Sequence, residues 1–158
     1  MQGTLGRMVL GFIAAAISVL IVHQGIVYGL TATGYLPGPN RAWSMTATIP
    51  PYGVPYLVNT VFWGGLWGVL FALIHRWLPG GWMWLKGLIF GLLIVLISNW
   101  TLLPLIKGQV FGVTRPPQVL FSGYDPMRML IVVLIVGGFG LGLGIIYGLI
   151  ARNTHKEA

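Results

Sequence analysis

Four apolar runs without a charged side chain govern what this sequence can fold into: Met8–Leu30, Tyr56–Ile74, Gly87–Ile106 and Met129–Ala151. Each holds 19 to 23 residues, and a helix needs roughly 20 apolar residues to cross a bilayer. In hydrocarbon every backbone N–H and C=O must find a partner, so only helices and closed barrels span membranes. These runs are continuous and do not alternate polar with apolar, which selects helices. Of 158 residues, 56% are hydrophobic and 7% charged, against about a quarter charged in soluble domains. The expected fold is an all-α four-helix transmembrane bundle, one integral membrane domain covering 1–158.

The first run has a competing reading. Arg7 followed by Val9–Val22 has the outline of a secretory signal peptide. The apolar pattern resumes at Gly25–Leu30, however, and Leu30-Thr31-Ala32 is a poor cleavage site. The run is therefore retained as a span. With no cysteine, disulfides, thiolate metal sites and cysteine nucleophiles are excluded.

The net charge of +7 rests on nine Lys/Arg against Asp125 and Glu157. In a chain this apolar, the excess speaks for anionic lipid headgroups and topology control, with no role for nucleic acid. Four spans put both termini on one side. That side carries Arg7, Arg76, Lys86, Arg152 and Lys156 in short segments; the opposite, outer side carries Arg41, Lys107, Arg115 and Arg128 in longer ones. The positive-inside rule then makes both termini cytoplasmic. Trp77, Trp82 and Trp84 belong to the inner aromatic belt, with Tyr52, Tyr56, Phe111 and Tyr124 near the outer one. The outer loops are stiffened by Leu36-Pro37-Gly38-Pro39, Ile49-Pro50-Pro51 and Arg115-Pro116-Pro117, prolines that resist helix formation and cap the bundle.

Shifted against itself by 76 residues, the chain partly matches. Gly11, Ile13 and Val19-Leu20-Ile21 fall on Gly87, Ile89 and Val95-Leu96-Ile97. Gly64, Gly68, Leu73-Ile74 and Arg76 fall on Gly140, Gly144, Leu149-Ile150 and Arg152. Ten identities in 49 aligned positions exceed the roughly one in eight expected from such a composition. Two similar helical hairpins in a parallel pseudo-repeat are expected, with a pseudo-two-fold axis along the membrane normal. Small residues recur one turn apart on every span: Gly11/Ala15/Ser18 and Gly25/Gly29, Gly64/Gly68/Ala72, Gly87/Gly91 with Ser98, and Gly140/Gly144/Gly148. Such glycine-zipper faces let helices approach closely where lipid offers little hydrophobic drive.

Trp63-Gly64-Gly65-Leu66-Trp67-Gly68, Leu78-Pro79-Gly80, Lys86-Gly87-Leu88-Ile89-Phe90-Gly91, Leu103-Pro104-Leu105 and Gly108…Phe111-Gly112 follow in order. This cadence resembles a family of small four-helix bacterial membrane proteins, a domain of unknown function. The resemblance covers the middle third of the chain and implies a bacterial inner membrane. It transfers no catalytic residue, and Lys107 and Gln109 make the stretch after Pro104 more polar than the family pattern.

Polar residues within a span are functional candidates by default. At about 1.5 Å per residue, His23, Gln24, Asn59, Thr60, Ser98, Asn99 and Thr101 share one layer in the outer half, and His23 falls on Asn99 at the 76-residue offset. The layer reads either as an interhelical hydrogen-bond cluster or as a site for a headgroup, quinone or solute. Other chemistries fail on inventory. No span holds a carboxylate for proton coupling, and two acids cannot hold magnesium for diphosphate chemistry. His23 and His75 lie in opposite halves of the bilayer and cannot grip one haem iron. Ser18 and Ser98 lie on packing faces without an activating context. Asp125 is expected to pair with Arg128 or Arg115, and His75 to lie at the interface.

No cofactor and no catalysis are expected. The leading reading is an accessory or structural membrane subunit, or a helix-packed homo-oligomer, partnered by the bilayer and another membrane protein. The alternative is a small transporter or polar-ligand-binding protein using the layer around His23 and Asn99. The topology is checked with single cysteines: Arg41→Cys is expected to label from outside intact cells and His155→Cys is not. Labelling at 155 would invert the orientation.

Overall fold

The computed structural model describes residues 3–49, 52–106 and 120–153. Pro50, Pro51, Lys107, Gly108, Gln109, Phe111, Gly112, Arg115, Pro116, Pro117, His155, Lys156 and Glu157 lie outside these residues. Four helices are long and apolar enough to cross a membrane: α1 (Thr4–Ala32), α2 (Tyr56–Ile74), α3 (Met83–Ile106) and α4 (Pro126–Arg152). Three of them start earlier than the apolar runs, because a charge at a helix end still supports helix. Arg7, Lys86 and Arg128 all sit in first turns that continue past the hydrocarbon-compatible stretch. α4 begins where Asp125 caps it. One carboxylate oxygen accepts from the Met127 and Arg128 N–H groups at 2.9 and 3.2 Å, and Pro126 occupies the first turn. The other oxygen lies 3.4 Å from Arg128 Nε. Between α1 and α2 a two-residue ladder pairs β1 (Thr48–Ile49) with β2 (Val54–Pro55), antiparallel.

Two seams without side chains, one in each hairpin, hold the helix pairs together. Between α1 and α2, a Cβ added to Gly11 would strike the Gly68 carbonyl oxygen, and one added to Gly68 would strike that of Gly11. Between α3 and α4, a Cβ on Gly87 would meet the Gly140 carbonyl, with Gly144 Cα 2.6 Å away. One on Gly144 would meet the Met83 carbonyl, with Gly87 Cα at 2.9 Å. Gly91 and Gly140 continue this seam: a Cβ on Gly91 would lie 2.8 Å from the Val136 carbonyl oxygen. Gly148 looks onto Met83, and Gly64 onto the Val19 side chain of α1. The pairs Gly11·Gly68 and Gly87·Gly144 correspond at the 76-residue offset.

The hairpins join through α1 and α4, while the backbones of α2 and α3 stay apart. The repeat explains this asymmetry residue by residue. Where α1 meets α4 the side chains are small. Ser18 is fully buried and donates to the Phe139 carbonyl at 2.7 Å, and Gly142 leaves room for it. The equivalents of Ser18 and Gly142 are Ile94 and Leu66, and those of Ala14 and Leu143 are Phe90 and Trp67. Bulk therefore fills the α2–α3 side, where Trp67 and Phe71 pack against Phe90 with ring centroids 6.2 and 5.3 Å apart. Phe71 and Tyr147 are themselves equivalent positions, and their rings meet edge to face at 5.6 Å. Equivalent residues that touch must lie where the two halves face each other, so this pair marks the centre of the core.

The seam predicts a position-specific cost. Gly144→Ala forces atoms into the Met83 backbone and is expected to lose about 1–3 kcal/mol as overpacking. At Gly137 an added Cβ makes only ordinary contacts, with Leu92 Cδ2 at 3.6 Å and Val133 Cγ1 at 4.0 Å, so Gly137→Ala should unfold like the parent. Thermal unfolding in mild detergent compares the two; equal losses would place the contact elsewhere.

Candidate functional site

The half of the bundle away from the termini contains three departures from α-helix. Val19–His23 of α1, Val95–Leu102 of α3 and Val133–Gly137 of α4 are π-helical; the first two start at positions equivalent at the 76-residue offset, while α2 is α-helical throughout. A π turn contains one residue more than an α turn and strands a carbonyl, a geometry common at functional sites. In α1 the Gln24 N–H reaches back to Val19, and the Leu20 carbonyl is taken by the Trp43 indole N–H at 2.8 Å. In α3 the equivalent carbonyl, that of Leu96, accepts the Thr101 hydroxyl at 2.9 Å.

An aromatic residue in left-handed conformation rests on each of the two equivalent π segments. Trp43 (φ 54°) also donates its backbone N–H to Gln24 Oε1 at 3.1 Å, and its ring lies 5.9 Å from that of Tyr28. Phe121 (φ 48°) belongs to the tight turn Leu120–Tyr124 and sits 6.0 Å from the Trp100 ring. Left-handed conformation costs roughly 1–2 kcal/mol per residue, so the contacts it permits must return at least that much. Trp43 and the turn Leu120–Tyr124 are thus docked onto the spans.

The sequence-predicted layer is distributed as follows. Gln24 is completely buried and Ser98 nearly so; His23, Asn59, Asn99 and Thr101 are half-buried. Among the described residues, no hydrogen bond joins any two of these six. Thr60 bonds the Tyr56 carbonyl within its own helix, and Thr101 does the same to Leu96. Three buried nitrogens of this half have no protein partner: His23 Nδ1, Gln24 Nε2 and Trp100 Nε1. Gln24 and Trp100 are equivalent under the repeat. Trp100 carries no sequence signal of its own, since a tryptophan near a span end reads as belt; the offset that pairs it with Gln24 was the available clue. Trp43 offered none.

At the opposite end, His75 is buried rather than interfacial, with 8% of its surface exposed. Its ring packs against Phe71 and Tyr147 at 5.8 and 5.3 Å, and its Nδ1 donates to the Ala72 carbonyl at 3.0 Å. It caps the end of α2, and the Phe71 and Tyr147 rings cover it there. Burial holds its pKa below the ordinary histidine value; bonds to the Ala72 and Phe71 carbonyls oppose this, and the charges of Lys86 and Arg76 add to it. Among the described residues no three His, Asp or Glu side chains form a metal-binding group.

A histidine with a depressed folded-state pKa binds its proton more readily when unfolded, so stability is full above about 6.5 and falls as pH drops below it. The unfolding temperature in detergent is expected to decline between pH 7 and 5, and His75→Gln to flatten part of that decline. An unchanged pH slope in the variant would remove His75 as its source. Among known proteins, no family model matches the chain, and neither a curated protein nor a solved structure shows significant similarity to it.

Proposed function

We propose that this multi-pass membrane protein is a non-catalytic binding protein holding a small polar ligand in the half of the bilayer opposite its termini. One observation carries the reading: His23 Nδ1, Gln24 Nε2 and Trp100 Nε1 are buried without partners. Unsatisfied polar groups away from water cost several kcal/mol each, and a bound molecule relieves that cost. Gln24 Nε2 and Trp100 Nε1 can only donate, so the ligand must bring acceptor oxygens, as a carbonyl, ether or ester does. Polar residues at a single depth suit a closed site better than a continuous pore.

The accessory-subunit reading ranks second. Gly64, Gly68, Gly87, Gly91, Gly140 and Gly144 all face neighbouring helices of the same chain, which leaves little of the glycine surface for another protein. What favours it is the outer part of α1, where a Cβ on Gly25 or Gly29 would meet nothing within 4 Å.

The test is extraction of small molecules from protein purified in mild detergent, followed by mass spectrometry. A species retained by the parent and by Trp77→Phe, but lost from Gln24→Leu and Trp100→Phe, is the expected result. Identical extracts from all four would reject the site. Co-purification of a second protein abolished by Gly25→Leu would move the assignment to the subunit reading.

A further inference from the structure

The two hairpins differ most at their terminal ends. α1 begins at Thr4, whose equivalent is Gly80, yet α3 begins only at Met83. Pro79 and Gly80, the latter with φ 106°, turn the chain where the extra turn of α1 has its counterpart. The missing turn leaves a groove of about 470 Å³ between the start of α3 and the end of α4. Trp82, Met83 and Trp84 form one wall; Ile145, Leu149 and Arg152 form the other. The groove is open to the bilayer: Trp82, Trp84, Ile145 and Leu149 are 69, 42, 45 and 57% exposed.

Its chemistry is divided by depth. Ile145 and Leu149 offer an apolar track along α4, while the exposed Arg152 and the two tryptophans stand at headgroup level, where such residues concentrate. Among the described residues Arg152 has no acidic neighbour, since the one ion pair joins Arg128 and Asp125 at the other end of the bundle. Arg7, Arg76 and Lys86 share the terminal end with it, so among the described residues the charged side chains of that end are all positive. A groove facing lipid fills with lipid, and a basic residue at headgroup depth selects phosphate that carries net charge.

We propose that this groove binds an anionic phospholipid of the leaflet on the terminal side, with its phosphate on Arg152 and one acyl chain along Ile145 and Leu149. A single interfacial basic residue favours anionic over zwitterionic lipid by roughly five-fold.

Native mass spectrometry of the detergent-solubilised full chain, titrated with phosphatidylglycerol or with phosphatidylcholine of the same acyl chains, measures this. Phosphatidylglycerol should bind roughly five-fold more tightly. Arg152→Gln should bring the two lipids to near parity, and Arg128→Gln should keep the preference. Leu149→Trp, which fills the track, should weaken both lipids at unchanged helical content. Full preference in Arg152→Gln, or an equal loss in Arg128→Gln, would overturn the site in favour of diffuse charge. Glycerol phosphate, a headgroup without chains, should fail to displace the lipid; displacement at comparable concentration would assign the groove to a free phosphate and defeat the lipid assignment.

Discussion

The close approach of glycine backbones is the constraint on which the rest of this bundle depends. Helices in lipid gain little from hiding apolar surface from one another, so their attraction comes from van der Waals contact and interhelical hydrogen bonds. Dispersion falls away steeply with separation, and a single methyl group at Gly68 or Gly87 would collide with a facing backbone. The Gly11·Gly68 and Gly87·Gly144 seams make two rigid hairpins. Once they are rigid, one buried hydroxyl, that of Ser18 on the Phe139 carbonyl, can fix how the hairpins join.

The joining is lopsided because volume was moved from one side of the pseudo-axis to the other. Ser18, Ala14 and Gly142 let α1 and α4 come together; Ile94, Phe90 and Leu66 hold α2 and α3 apart. Interiors tolerate neither voids nor overlap, so the wider side needs the Trp67, Phe71 and Phe90 rings to close it. The same breaking of symmetry shortens the start of α3 and opens the groove beside Arg152.

Much of the architecture is legible without coordinates. Four uncharged runs dictate four spans, the four-residue glycine spacing singles out the faces that meet, and the 76-residue offset anticipates that Gly11 and Gly87 sit in like surroundings. Helix ends are less legible: Arg7 and Lys86 bound the apolar runs because charge is excluded from hydrocarbon, yet the helices start before them, at Thr4 and Met83. The polar layer rests on depth alone. Depth says nothing of azimuth, and the π segments starting at Val19, Val95 and Val133 shift the side-chain phase by an extra residue between the two halves of their spans, so facing cannot be counted from one half to the other. The docking of Trp43 is a tertiary event with no local pattern behind it.

The π segments also divide each span that carries one into two separately phased faces. α1 and α3 widen from equivalent positions and α4 at Val133–Gly137, while α2 stays α-helical throughout. An α-helix turns about 100° per residue, so one residue more or less inside such a segment rotates one end of the span against the other. The Gly11·Gly68 and Gly87·Gly144 seams are thereby insulated from the faces that carry Gln24 and Trp100: a single-residue change in a π segment re-aims the polar half of a span and leaves its glycine seam in register.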